Sequence, residues 1–173
     1  MDVSRIEACI PRLNHFVKEC RKRGVQIFWI RQELRKDRMY PNQMTRLLDE
    51  EDQVWYDMPD SPGADWHPAL IRPLDTETVI TKNSYCAFRD TELHLCLQSA
   101  GIQTVLVTGF TTGVCVETTS RNAFLNGYHV VLVPDCADAH TEEEHLGAIT
   151  AIKTFFGWCL TQDELYQLWD QNN

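Results

Sequence analysis

At 173 residues, 43% of them apolar, the chain suits one domain with one sizeable core and leaves little room for a second. Its formal net charge of −9 repels phosphate backbones and argues against a nucleic-acid partner. Apolar residues fall in short clusters, none near the roughly 20 residues of a membrane span, and Arg5, Glu7, Arg12, Lys18 and Glu19 interrupt any secretory core. A cytoplasmic protein without a membrane partner is expected. Seven cysteines without a C-x-x-C pair fit neither a disulfide framework nor a thiolate metal site, so no metal and no cofactor are expected.

Ser4-Arg5-Ile6-Glu7 reads as a capping box, and Ile6, Ile10, Leu13, Val17 and Cys20 follow at helical spacing. Pro11 predicts an early kink and Gly24 a stop. Val25 to Ile30 reads as a buried strand. The polar excursion Arg31 to Gly63 is too long for a plain connection and predicts a lid or partner-facing flap, with a short helix near Met44 to Asp49. Thr78 to Thr81 is a further strand. Asp90 caps a helix that carries Leu93, Cys96, Leu97 and Ala100 and ends at Gly101.

Thr104 to Thr108 predicts another buried strand, running through Gly109 into a turn and then a helix from about Cys115 to Asn126. His129 to Val133 is the next strand, and Thr141 to Glu144 and Thr161 to Glu164 are capping boxes that open two more helices. Strands alternating with amphipathic helices imply parallel βαβ units. The expected fold is therefore α/β: a Rossmann-like doubly wound parallel sheet with helices on both faces, one domain over residues 1–173. In such sheets the site lies at the carboxyl ends of the strands.

Two of those ends hold the residues of interest, Lys82 and the turn from Gly109 to Cys115. A helix N-terminus favours a thiolate and aims backbone N–H groups at a developing oxyanion. The dipole alone lowers a thiol pKa by little more than about one unit, so a nucleophilic Cys115 needs a nearby cation, and Lys82 is the supplier. The alternative is a buried structural thiol.

Val79-Ile80-Thr81-Lys82-Asn83-Ser84-Tyr85-Cys86-Ala87-Phe88 and Val107-Thr108-Gly109-Phe110-Thr111-Thr112-Gly113-Val114-Cys115-Val116-Glu117-Thr118-Thr119 closely resemble the two signature segments of the isochorismatase-like cysteine hydrolases. Ser61-Pro62-Gly63-Ala64, Gly127-Tyr128 and Asp135-Cys136-Ala137-Asp138-Ala139 are similar to the same family. The resemblance implies a six-stranded parallel sheet and a Cys–Lys–Asp triad. Cys115 would attack a carbonyl, Lys82 would lower its pKa and an aspartate would move the proton. It also implies a cis peptide at Phe110–Thr111, with the N–H groups of Thr111 and Cys115 as the oxyanion hole.

The chain departs from that pattern in one respect. The family's aspartate ends a strand that precedes the first helix, and here the helix opens at about Ser4, so the sheet is expected to lack that first strand, the triad its aspartate, and the hydrolase to be impaired. The resemblance places that strand between those at 25–30 and 78–81. These two are therefore expected about 10 Å apart, or collapsed with distortion, in a chain that is marginally stable.

Other candidates are weighed beside these. Asp65-Trp66-His67-Pro68 looks like the Asp-x-His metal motif of nicotinamidases, but Arg31-Gln32-Glu33-Leu34 stands where that motif would follow its strand. His140 and His145 read as solvated cap residues. Tyr85, Phe88, Trp55 and Trp66 either line the substrate pocket or serve as core aromatics.

Within the resembled family a retained Cys115 favours C–N hydrolysis of a small amide or ureide. The segments Cys115 to Phe124 and Phe155 to Trp158 look most like ureidoacrylate- and biuret-type amidohydrolases. Vinyl-ether hydrolysis of isochorismate and a catalytically dead binding or assembly subunit are the alternatives. A small-molecule substrate and a homo-oligomer are the partners this implies.

Overall fold

A computed structural model describes residues 3–33 and 62–171. Trp55 and the helix expected near Met44 to Asp49 lie outside these residues.

Helix α1 runs over Ser4–Lys22 and buries Cys9, Ile10, Leu13, Phe16, Val17 and Cys20, the stripe its apolar spacing calls for. Pro11 sits inside an unbroken helix, within its first turns. The Ser4 capping box does not form: Val3 takes the cap position with no side-chain bond, and the Glu7 N–H donates to the Val3 carbonyl at 2.9 Å. Gly24 ends the element at φ +69°, a conformation that favours glycine.

The strands are β1 Phe28–Gln32, β2 Thr78–Lys82, β3 Thr104–Phe110, β4 His129–Asp138 and β5 Trp158–Cys159. Between them lie α2 Leu93–Ser99, α3 Glu117–Leu125, α4 Glu142–Phe155 and, last, α5 Gln162–Gln171. Helix α2 is capped at Glu92 rather than Asp90, which lies at φ +55°. The boxes at Thr141 and Thr161 do form. Thr141 Oγ1 accepts from the Glu144 N–H while the Glu144 carboxylate accepts from the Thr141 N–H, and Thr161 and Glu164 repeat the exchange.

β4 shows why the architecture has helices on both faces. Val131 and Val133 pack with α1 and α5 against Leu13, Phe16, Val17 and Leu165. Val130 faces Leu97, Ala123 and Tyr128, and Leu132 faces Val116 and Ile152. A strand buried on both sides is the mark of a parallel sheet between two helix layers, and the doubly wound α/β reading stands.

The sheet is split. β1 pairs with β2 in parallel, and β3, β4 and β5 form a second parallel ladder, with no pairing between β1 and β3 among the described residues. Five strands are described. One expectation is corrected: the strands at 28–32 and 78–82 are in register side by side, Phe28 with Thr78 through Gln32 with Lys82, so the seam lies between β1 and β3 instead.

Glu77 supplies the physical reason. Its carboxylate accepts from Trp29 Nε1 at 2.7 Å and from Arg21 Nε and Nη2 at 2.8 Å, so the start of β2 is fastened to β1 and to the end of α1. Twin charge-assisted bonds of this kind are the strong ones, and the pattern of apolar residues along a strand says nothing about them.

β3 and β4 slip register between Val107 and Gly109. That bulge, with Gly109 at φ +99°, turns Phe110 and the loop beyond it toward the ends of β1 and β2. No helix among the described residues is long and apolar enough to cross a membrane.

Candidate active site

Three strand ends converge. Gln32 closes β1, Lys82 closes β2, and Cys115 follows β3. The Phe110–Thr111 peptide is cis, and Thr111 is extended at φ −92°, ψ 148°. The chain then winds through a single π turn, Thr112–Val116, before α3 begins at Glu117. Cys115 therefore sits inside a wide turn that precedes the α-helix, rather than at the helix start expected from the sequence. Such turns recur at functional sites because they swing a side chain out of the regular helical track.

Lys82 is 5% exposed, so its ammonium group has to find partners inside the protein. Nζ donates to Gln32 Oε1 at 2.7 Å and to the Ser84 carbonyl at 2.9 Å, and lies 3.3 Å from Cys115 Sγ. These three partners are two neutral oxygens and a sulfur, with no carboxylate among them. Gln32 Oε1 is also 4.0 Å from Cys115 Sγ, which closes a Lys–Cys–Gln triangle. The sequence reading passed over Gln32; its place at the end of a buried strand was the available signal.

A cavity of about 430 Å³ opens over this triangle, lined among others by Arg31, Gln32, Trp66, Lys82, Phe110 and Cys115. Trp66 meets Trp29 edge to face at 5.5 Å. Tyr85 is near enough to Cys115 that burial, and then the thiolate charge, pushes its phenol pKa up. Phe88 packs against Tyr128 and His94 in the α2–α3 layer. Asn83 Oδ1 and Ser84 Oγ, next to Lys82, are buried with no partner among the described residues. Such groups can take up hydrogen bonds from a bound molecule.

Asp65 and His67 do not come together around a point. Asp65 Oδ1 accepts from the Trp66 N–H at 2.7 Å, and His67 Nε2 faces Glu7 at 3.8 Å. Among the described residues no cluster of His, Cys, Asp and Glu could hold a metal ion. His145 is a correction: it is no solvated cap residue, its side chain being 13% exposed. Its Nδ1 lies 2.9 Å from the buried Thr112 Oγ1 and 4.0 Å from Asp138 Oδ1. Burial pushes the imidazole pKa down despite the nearby Asp138 carboxylate. Arg5 in turn bonds Asp138 at 3.0 and 3.2 Å, so α1, β4 and α4 together pin the first residue of the π turn.

Comparison with known proteins gives this geometry a context. The Isochorismatase domain family matches residues 1–164. The ureidoacrylate amidohydrolase of Methylobacterium radiotolerans is 37% identical over 97 residues, 54% of this chain and 38% of that protein. Its counterpart in Methylorubrum extorquens is 28% identical over 182 aligned positions, 91% of this chain and 68% of that protein. The crystal structure of an isochorismatase-like hydrolase from Alkaliphilus metalliredigens superposes with a TM-score of 0.83 at 28% identity, covering 95% of this chain and 86% of that one. The chain spans 36–46% of the length of the first curated relatives it matches.

Proposed function

The chain belongs to the isochorismatase family, and from that premise we propose that it is a cysteine hydrolase acting on a C–N bond of a small amide or ureide, with Cys115 as nucleophile and Lys82 as the cation that holds it as thiolate. One observation carries the reading: Lys82 Nζ lies 3.3 Å from Cys115 Sγ at the wall of a cavity sized for a small molecule. The Cys115 sulfur adds to the substrate carbonyl, and the N–H groups of Thr111 and Cys115 take the oxyanion. Collapse breaks the C–N bond, the departing nitrogen takes a proton, and water releases the acid from the thioester. Tyr85, Trp66 and the unpartnered Asn83 Oδ1 shape the pocket around the substrate.

Relatives named for ureidoacrylate support the amide class over vinyl-ether cleavage, for which a thiol nucleophile has no use. Lys82 has Gln32 where a proton-moving triad needs an acid, and general acid–base assistance is worth about 10²–10⁴-fold. Turnover by this chain is accordingly slow, and the covalent step is the one to observe. Incubation with ureidoacrylate followed by acid quench and mass spectrometry should show an acyl adduct on the tryptic peptide that holds Cys115. Cys115→Ala should remove both adduct and turnover. Hydrolysis that persists in Cys115→Ala would overturn the assignment.

A homo-oligomer is supported by the exposed Phe124, Leu125, Phe155 and Trp158, at the ends of α3 and α4 and the start of β5. Light scattering at micromolar concentration tests it, and a monomer mass would discard it.

A further inference from the structure

The π turn that presents Cys115 rests on the first turns of α4. A Cβ on Gly113 would meet the Glu144 carbonyl oxygen at 3.4 Å, so the backbones of turn and helix are nearly in contact there. The capping box of Thr141 and Glu144 fixes the start of that helix. One residue further on, His145 Nδ1 lies 2.9 Å from Oγ1 of Thr112, the first residue of the turn. Thr112 is wholly buried, and a buried hydroxyl left without an acceptor is costly. Within the turn the Val114 and Val116 N–H groups both donate to the Thr111 carbonyl, at 3.3 and 3.2 Å.

The groups around the imidazole assign the donor. Asp138 Oδ1 accepts from Arg5 Nε at 3.2 Å, from Arg5 Nη2 at 3.0 Å and from the Ala139 N–H at 2.8 Å. At 4.0 Å from His145 Nδ1 it is beyond hydrogen-bond reach of the ring. Burial pushes the imidazole pKa down; Asp138 of β4 and Glu142 of α4 oppose that shift, and Arg5 and Arg12 of α1 add to it. The ring is therefore neutral at pH 7, and a neutral ring keeps one nitrogen free to accept. With the Thr112 hydroxyl at 2.9 Å and its proton in need of an acceptor, that nitrogen is Nδ1.

We propose that His145 is a positioning residue for the nucleophile: by accepting the Thr112 hydroxyl at Nδ1 it ties the π turn to α4 and so holds Cys115 Sγ at Lys82 Nζ. The inference rests on Cys115 being the nucleophile and names the side chain that sets its place. Lys82 is fixed from the strand side, through Gln32 and the Ser84 carbonyl. The 3.3 Å between Nζ and Sγ is therefore set on the sulfur's side by the turn. Thr112 and Cys115 belong to one turn of five residues, so a shift at the first is carried along the backbone to the second. A longer separation weakens the cation's hold on the thiolate, and a displacement near 1 Å at a reacting group can cost about 10²-fold in rate.

The test compares the unsubstituted chain with His145→Phe and Thr112→Val, which remove the bond, and with His145→Asn and Thr112→Ser, which keep it. Asn Oδ1 stands as many bonds from the backbone as His Nδ1. At a temperature where circular dichroism shows each protein folded, iodoacetamide labelling of Cys115 at pH 7 should slow at least about fivefold in the first pair. Amide exchange at Val114 and Val116 should quicken by about the same factor. The double substitution His145→Phe with Thr112→Val should be no slower than either alone, because both remove one bond. His145→Asn and Thr112→Ser should recover most of the lost rate. Thr112→Val, which exchanges a hydroxyl for a methyl group, decides the matter should His145→Phe fail to fold. Three results overturn the proposal: a lowered melting temperature with labelling and exchange unchanged, losses that add in the double substitution, or no recovery with Asn and Ser. Labelling of Cys115 in the unsubstituted chain no faster than of the other thiols overturns the nucleophile itself, a result reached before any substitution is made.

Discussion

Lys82 and Cys115 are 33 residues apart in the chain, and Lys82 Nζ lies 3.3 Å from Cys115 Sγ in the fold. Burial pushes the thiol pKa of Cys20 up to about 12 and raises those of Cys9, Cys136 and Cys159. Iodoacetamide at pH 7 is therefore expected to label Cys115 at least about tenfold faster than those four. Lys82→Met should slow that labelling about tenfold while the fold, followed by circular dichroism, persists. Uniform labelling, or a rate unchanged by Lys82→Met, would refute the pairing.

The split sheet bears on stability. The seam-facing edges of β1 and β3 have no ladder partner among the described residues, and unpaired strand edges weaken a domain whose whole stability is only about 5–15 kcal/mol. The chain alone should melt near or below about 45 °C, with aggregation through the open edges of β1 and β3. A cooperative melt above about 65 °C would contradict this.

Glu77 predicts the acid limb of the stability curve. The paired Arg21 guanidinium, helped by the Leu74 N–H and the Trp29 indole, holds its carboxyl pKa down from 4.5 to about 2. A lowered folded-state pKa means the unfolded chain binds the proton first, so the contribution is complete above about pH 4.5 and is lost as pH falls toward 2. With the Glu77 side chain 9% exposed, its size is roughly 2–3 kcal/mol. Glu77→Gln should be less stable at pH 7 and flatter between pH 4.5 and 2 in urea titrations. Parallel pH curves for the two proteins would show that Glu77 is not the group responsible.

Gly157 closes α4 onto β4 so tightly that a Cβ there would overlap the Val130 carbonyl oxygen. Backbone cannot yield as a side-chain tip can, so Gly157→Ala should cost at least about 2 kcal/mol in urea unfolding. Gly147→Ala, where a Cβ meets open space, should be neutral or stabilising in the same assay. Equal effects at the two sites would show that the close approach has no energetic weight.

Local pattern carried much of this protein. Helical spacing from Ile6 to Cys20, the Thr141 and Thr161 capping boxes and the β-branched run His129 to Val133 each fix an element through contacts a few residues long. The segments around Lys82 and Cys115 were legible for the same reason, since each is one strand end with its turn. The rest depended on distant parts of the chain. The β3–β4 bulge draws β4 on to Asp138, where Arg5 from α1 and His145 from α4 meet it. The Glu77 bonds to Arg21 and Trp29 set β2 beside β1 and so moved the seam to β1 and β3. Gln32 became part of the site because that pairing brings its amide to 2.7 Å from Lys82. Periodicity reports which face of an element is apolar; which elements become neighbours is decided by side-chain bonds between residues dozens of positions apart, and only the folded chain shows them.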